Sequence, residues 1–383
     1  MNGRRVFIAI ALAAALVVAL GFVLWRPFGE VPQGIQSVDT RIAGFEEAGS
    51  DSGRGNLLAV QPWMVPGDYS NAETLFAKLD GYLAQAKAKG WLNSKTIVVL
   101  PEYTGTWLVA ADERAAVYRG GAIGPAMTAM ALSHPGAFLR RYVSAPAVAG
   151  KAKWALFTLK SETMARDYQA VFGKLARKYG VTLVAGSIVL PQPRLMEGRL
   201  EVKAGGTLYN VSALFGPDGK IAPPLIIKAY PIDEENAFTA AGNPNGIPVF
   251  ATPAGRLAVL ICADSWYAPP YRRIAELHAE LLAIPSYSSG DRAWAARWTG
   301  YNGAPTPADV ARGDIGKLTE GQAWLKYSMG GKAAAANIRA GVNVFLRGHL
   351  WDMGSDGSTI TFRNGVVARV PERQGAVLTN EWL

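Results

Sequence analysis

The sequence predicts an α/β layered sandwich, with helices packed on a mixed sheet. Three observations lead there. Short apolar runs such as 97–100 (IVVL) and 257–261 (LAVLI) have the length of buried strands. Between such runs lie segments with apolar residues at helical spacing, notably 71–90 and 161–179. Hairpin signals then break the alternation in the second half, which excludes the regular strand–helix repeat of a TIM barrel.

In chain order, residues 6–25, VFIAIALAAALVVALGFVLW, carry no charge. At about 1.5 Å per residue they would extend roughly 30 Å, the thickness of a bilayer's hydrocarbon core. Arg4 and Arg5 precede the run and only Arg26 follows closely, so the N-terminus is expected in the cytoplasm. The rest would face the extracytoplasmic side, in a bacterium the periplasmic side of the inner membrane. The run is longer than a signal peptide's apolar region and ends in Trp25-Arg26-Pro27 without a small-x-small cut site, which favours an uncleaved single-pass anchor. Residues 1–25 are therefore read as cytoplasmic N-terminus and anchor. Residues 26–55, rich in Gly, Ser and Pro, are read as a flexible linker, and 56–383 as one globular domain.

Within that domain, Asn56 to Val60 is a buried strand, and 71–90 a helix with an Asn start and a Gly stop. KTIVVLPE gives the next strand, ending at Glu102. A helix over 161–179 precedes a strand within VTLVAGSIVLP. In LYNVSALFGPDGK, Gly216-Pro217-Asp218-Gly219 turns the chain back into PLIIK, which ends at Lys228. IPVFATPAGRLAVLIC is a second hairpin and runs into Cys262. A helix near 270–282, the strand LLAIPSYSS, a helix near 320–340, the strand VNVFLRGHL and the hairpin STITFRNGVVARV follow.

The net charge of +9 belongs to the globular part, because residues 1–55 hold five basic residues (Arg4, Arg5, Arg26, Arg41, Arg54) and five acidic ones (Glu30, Asp39, Glu46, Glu47, Asp51). No basic run interleaved with aromatics and no zinc-finger or RNP-like spacing occurs, so nucleic acid is not an expected partner. GxGxxG and GxxxxGK[ST] are both absent. A cationic domain beside a bilayer would be drawn to anionic head groups or substrates, and a solubilising surface charge is an equal reading.

Three reactive side chains close three apolar strands: Glu102 after IVVLP, Lys228 after PLII and Cys262 after LAVLI. Side chains just past the ends of buried strands converge on a crevice in α/β folds. A free thiol with pKa ~8.5 is mostly protonated at neutral pH. A carboxylate within reach can take its proton during attack and return one to a leaving amine. A lysine can hold the developing oxyanion, so no histidine is required. Singly, each has a bland reading: strand-terminal charges are usually solvated ends, and a lone Cys is usually core. His134, His278 and His349 offer a rival Cys–His chemistry, but none lies in a protease signature or at metal-ligand spacing, and all three are expected to be surface or packing residues.

Together and in order, VVLPEY, YNVSALFGPDGK…LIIKAYPIDEEN and AGRLAVLICADSW resemble the nitrilase superfamily of carbon–nitrogen hydrolases. LLAIPSYSS and NIRAGVNVFLRG…GSDGSTITFRNG extend the resemblance to roughly 56–370. It implies an α-β-β-α sandwich with Glu102 as general base, Lys228 as oxyanion stabiliser, Cys262 as nucleophile and the Ala263 N–H as second oxyanion donor. It also implies a second glutamate after the lysine, Glu235 or its neighbour Glu234, and a structural role for Asp264. The implied activity is hydrolysis of a non-peptide amide, on a small-molecule or lipid-linked substrate, with no metal or organic cofactor and with homodimers common. Acyl transfer, as in apolipoprotein N-acyltransferase, is the runner-up, and a non-catalytic binding protein on the same fold is a third reading. Ala263-Asp264 after the thiol, where nitrilases have Trp-Glu, weakens true nitrile hydrolysis. Two long insertions depart from the family core, near 105–160 and 288–330. The second carries Trp294, Trp298, Tyr301, Trp324 and Tyr327, which could line a substrate site, dock at a membrane interface or merely pack.

Overall fold

The computed structural model describes residues 3–25 and 38–383, with side chains in the first stretch at 8 and 10–21 only. Gly3–Trp25 is one α-helix. Its described apolar side chains, from Ile8 to Leu20, are exposed. Among the described residues no helix is long and apolar enough to cross a membrane. The expected linker lies partly outside the described residues, and the part within them is not all linker. Ile42–Ala48 is a strand, paired in parallel with the C-terminal strand Ala376–Trp382. The folded domain thus starts before Asn56. The sequence hides this strand because Ile42–Ala48 is only partly buried at a sheet edge and shows no apolar run.

Two mixed sheets build the domain. In the larger, the strands run in the order Ile42–Ala48, Ala376–Trp382, Asn56–Gln61, Thr96–Leu100, Thr182–Ala185, Leu208–Phe215, Ile221–Ile227, and Ile188–Pro191 also pairs with Leu208–Phe215. The smaller runs Val249–Thr252, Gly255–Val259, Leu281–Ser286, Ala340–Phe345, Ile360–Arg363, Val366–Arg369. Parallel pairing is confined to the centre of each sheet, Asn56–Gln61 with Thr96–Leu100 and Thr182–Ala185, and Gly255–Val259 with Leu281–Ser286 and Ala340–Phe345, apart from the N-terminal edge.

The period-two alternation of side chains assigns the layers. Leu58, Val60, Val98 and Leu100 pack with Leu75, Leu79, Phe172 and Leu175 of the helices Ala72–Ala88 and Lys151–Tyr179. Their neighbours Leu57, Ala59, Ile97 and Val99 share the other core with Val259, Leu282, Ile284, Val342 and Val344 of the second sheet. Ile274 and Met329 bring the second helical layer into that core. The architecture is an α-β-β-α sandwich, as the resemblance implies.

Element boundaries differ where chain-breaking residues act. Asn71 caps Ala72–Ala88 by accepting from Thr74 N. The expected helix over 161–179 begins ten residues earlier, at Lys151, because Trp154, Phe157 and Thr158 continue the buried face of Ser161, Ala165 and Tyr168. Near 320–340 the helix is Glu320–Tyr327, followed by a separate turn Met329–Lys332. The helix near 270–282 is Ala268–Glu276. VTLVAGSIVLP is two strands separated by Gly186 at φ +63°.

Candidate active site

Glu102 follows Thr96–Leu100, and its turn is held from the neighbouring strand break. Ser187 Oγ accepts the Tyr103 N–H at 2.9 Å, and the Ser187 carbonyl accepts Gly105 N–H at 2.9 Å. A Cβ at Gly186 would meet the Pro101 carbonyl at 2.1 Å, so this approach requires glycine. Lys228 ends Ile221–Ile227, the return arm of the Gly216–Gly219 hairpin, and its N–H donates to Asn210 O at 2.9 Å. Cys262 lies past Gly255–Val259 and opens a 3-10 turn, Cys262–Trp266, at φ +49°. A positive φ at a non-glycine costs on the order of 1–3 kcal/mol and persists where surrounding contacts fix it.

Asp264 supplies those contacts. Buried completely, its carboxylate accepts the N–H groups of Ala229 at 2.9 Å, Tyr230 at 2.8 Å and Ile261 at 3.2 Å. It thereby ties the chain after Lys228 to the turn that carries Cys262. Burial raises its pKa to about 7, against the pull of Lys228 and the three N–H groups.

The side chains singled out in the sequence converge. Lys228 Nζ lies 2.8 Å from Glu102 Oε1 and 2.5 Å from Glu235 Oε2, with all three groups almost wholly buried. Glu234 is exposed and makes neither contact, which decides between the two glutamates on geometry. The Cys262 thiol donates to the Tyr287 carbonyl at 3.7 Å, and the Glu102 carboxylate is near enough for its charge to act on the thiol. Ala263 is the second residue of its turn, ahead of the first intrahelical bond (Asp264 N–H to Ile261 O).

Burial sets the protonation pattern, modified by charge. It raises the Glu102 pKa, and Glu235 adds to this while Lys228 opposes it. Burial alone would lower Lys228, but Glu102 and Glu235 hold it well above its ordinary value. Burial would also raise Glu235, but Lys228 and the Tyr103 hydroxyl hold it low. Burial and the Glu102 charge push the Cys262 thiol well up. The resting site is thus a protonated lysine between two glutamates, one firmly ionised and one inclined to take a proton, beside a neutral thiol.

Three participants were not singled out in the sequence. Asn210 donates to Glu102 Oε1 at 2.9 Å and to Glu235 Oε1 at 2.8 Å. The Tyr103 hydroxyl donates to Glu235 Oε1 at 2.6 Å, from a backbone at φ +62°. Tyr287 faces the thiol with its carbonyl. The signal was adjacency: Tyr103 follows Glu102, and Asn210 lies in the strand that pairs with the one ending at Lys228.

Two cavities meet at Cys262. One, of about 360 Å³, is lined by Glu102, Lys228 and Glu235, and by the insertion near 105–160. Thr106 Oγ1 and Trp107 Nε1 are polar exceptions on its wall, buried without a partner. The other, of about 380 Å³, is lined by Ala263, Trp266, Trp298, Tyr301, Glu320 and Trp324 among others. The aromatics of 288–330 therefore divide. Trp298, Tyr301 and Trp324 face this cavity, whereas Trp294 packs edge-on to Phe345 and Tyr327 stacks on Trp298. His134, His278 and His349 are exposed and line neither cavity. Among the described residues no His, Cys, Asp and Glu cluster could hold a metal ion.

Residues 59–301 match the carbon–nitrogen hydrolase family. Over 119 residues the chain is 29% identical to the probable hydrolase YhcX of Bacillus subtilis (strain 168), a stretch that covers 31% of this chain and only 20% of that protein. An amidase from Nesterenkonia sp. AN1 superposes with a TM-score of 0.52 at 14% identity, over 86% of this chain and 92% of that one. A mutant of the same amidase, with acrylamide added at its active-site cysteine, gives 0.51 at 14% identity over 86% and 93%. At such identity the likeness is one of fold.

Proposed function

This chain belongs to the carbon–nitrogen hydrolase family and is an enzyme of that class, and we propose that it cleaves an amide through a thioester on Cys262. The observation that carries the reading is the convergence of three buried groups on one cavity: Lys228 Nζ lies 2.8 Å from Glu102 Oε1, and Cys262 lines the same cavity beside them. Glu102 takes the thiol proton as Sγ attacks the amide carbon. Lys228 Nζ and the Ala263 N–H hold the oxyanion. Collapse breaks the C–N bond, and Glu102 delivers its proton to the departing nitrogen. Water, deprotonated by Glu102, then attacks the thioester, the C–S bond breaks, and the proton returns to sulfur. Glu235 does not move a proton; it holds Lys228 in place and keeps it charged.

We place the domain on the extracytoplasmic face of a membrane, held by the uncharged run 6–25. Support comes from the sequence, where the run is uncharged and follows Arg4 and Arg5; the described part of the helix is by itself not long and apolar enough to cross.

The test needs no substrate. Iodoacetamide alkylation of the full chain in detergent, followed by intact mass near pH 7, should be fast and should slow at least tenfold in Glu102→Gln and Lys228→Met. Labelling at the rate of the unfolded chain, unchanged in both variants, would make Cys262 a structural thiol and end the proposal.

A further inference from the structure

Cys262 sits on a partition. Among the described residues, Ile232, Cys262, Tyr287 and Ser289 line both cavities. The two sides differ in chemistry. Away from Glu102, Lys228 and Glu235, the charged residues on the first cavity, among the described residues, are Lys153 and Glu234, and both are exposed and so belong to its rim. Its inner wall is mostly apolar, with Trp107, Met127, Met130, Leu156, Phe157 and Phe238, and Thr106 Oγ1 and Trp107 Nε1 as its polar exceptions. Met127 and Met130 come from one face of Ile123–Ser133, a helix clamped to the domain where Asp352 Oδ1 accepts the Ile123 N–H at 2.9 Å. Trp107 packs on Trp351, whose indole N–H donates to the Val117 carbonyl at 2.8 Å. The chamber is therefore built from the insertion and fastened to the sandwich, with thioethers that adapt to a flexible chain. The second cavity offers aromatic faces and the half-buried Glu320 carboxylate, with the exposed Arg297 at its rim.

We infer that the first chamber takes the acyl part of the substrate, and that this part is an unbranched alkyl chain of several carbons. The inference rests on the Cys262 thioester reading and adds its substrate class. An amine leaves as an ammonium ion at neutral pH, which an apolar wall disfavours and which aromatic rings beside a carboxylate suit. An acyl chain carries no charge and gains from burial at every methylene. The leaving amine therefore belongs to the second chamber and the chain to the first.

Nitrophenyl esters of acetate, butyrate, hexanoate and octanoate test this by acylating the thiol directly. Sulfur forms the thioester, nitrophenolate departs, and intact mass reads the acyl-enzyme. Acylation of the full chain should speed up about fourfold per methylene until the chamber is filled. In Met127→Trp the octanoyl-to-acetyl rate ratio should fall at least tenfold, and in Met127→Ala it should not fall. A flat or decreasing series, or a series of N-alkyl acetamides whose cleavage rises with the N-alkyl chain instead, overturns the assignment. Iodoacetamide labelling separates the two levels. Fast, Glu102-dependent labelling with a flat ester series sinks this inference alone, whereas slow labelling unaffected by Glu102→Gln sinks the thioester reading and this inference with it.

Discussion

Asn210 splits its amide hydrogens between Glu102 and Glu235, so one neutral side chain stabilises the ionised form of both. A hydrogen bond to a charged group is worth about 1.5–3 kcal/mol, or roughly one to two pK units. In the native protein the acid limb of the pH–rate profile should lie above the ordinary glutamate value of 4.5, because burial raises Glu102 and the base works only when ionised. Activity then rises as pH climbs through that raised value. In Asn210→Ala the limb should move up by about one to two units more, and a profile of kcat/KM on any turned-over amide shows it; an unmoved limb would remove Asn210 from the proton economy. The thiol, the lysine and Glu102 were legible in the sequence because each ends an apolar run. Asn210 was not, since a polar residue inside a strand looks the same whether it faces water or two carboxylates. Glu235 was legible only as one of a pair, and the choice of partner for Lys228 needed three dimensions.

The same contrast holds for elements. Apolar runs and the Gly216–Gly219 turn predicted the inner strands and their hairpin, because fully buried strands must be apolar. Ala376–Trp382 escaped notice although every residue in it is buried. It holds Thr379, Asn380 and Glu381, of which the fold satisfies two from afar, Asn380 Oδ1 by Asn56 and Glu381 by Arg363, while Thr379 Oγ1 is buried without a partner. Polarity satisfied by remote partners is invisible to a local pattern. Gly186→Ala combines a positive φ with a clash against the Pro101 carbonyl, so it should cost more than about 1 kcal/mol and displace Glu102. Urea melts would show the loss of stability, and thiol labelling the displaced base. A chain starting at residue 50 lacks Ile42–Ala48 and bares one edge of Ala376–Trp382, so it should melt lower and self-associate more than a chain starting at 38. Equal melting temperatures and equal sedimentation would refute that.

At the scale of the molecule, burial acts in one direction on several carboxyl groups. It raises the pKa of Asp68, Asp167 and Glu381, and takes Asp264 and Glu320 to about 7. A group raised on folding stabilises the folded state fully below its unfolded pKa, near 4, and loses that contribution as pH rises through the folded value. The midpoint of thermal unfolding should therefore be higher near pH 5 than near pH 8. The difference should shrink in Asp264→Asn, and a midpoint that rises instead from 5 to 8 would contradict this origin. The pairing of the two terminal strands has a consequence in time as well. Glu47 meets Trp382 across 335 residues of chain. At roughly 5–20 residues per second, a ribosome takes on the order of 20 seconds to a minute to deliver that partner. Until then the early strand emerges with its hydrogen-bonding edge unclaimed, and whatever attends the nascent chain during that interval determines whether the sheet closes on its own last strand or on a neighbour's.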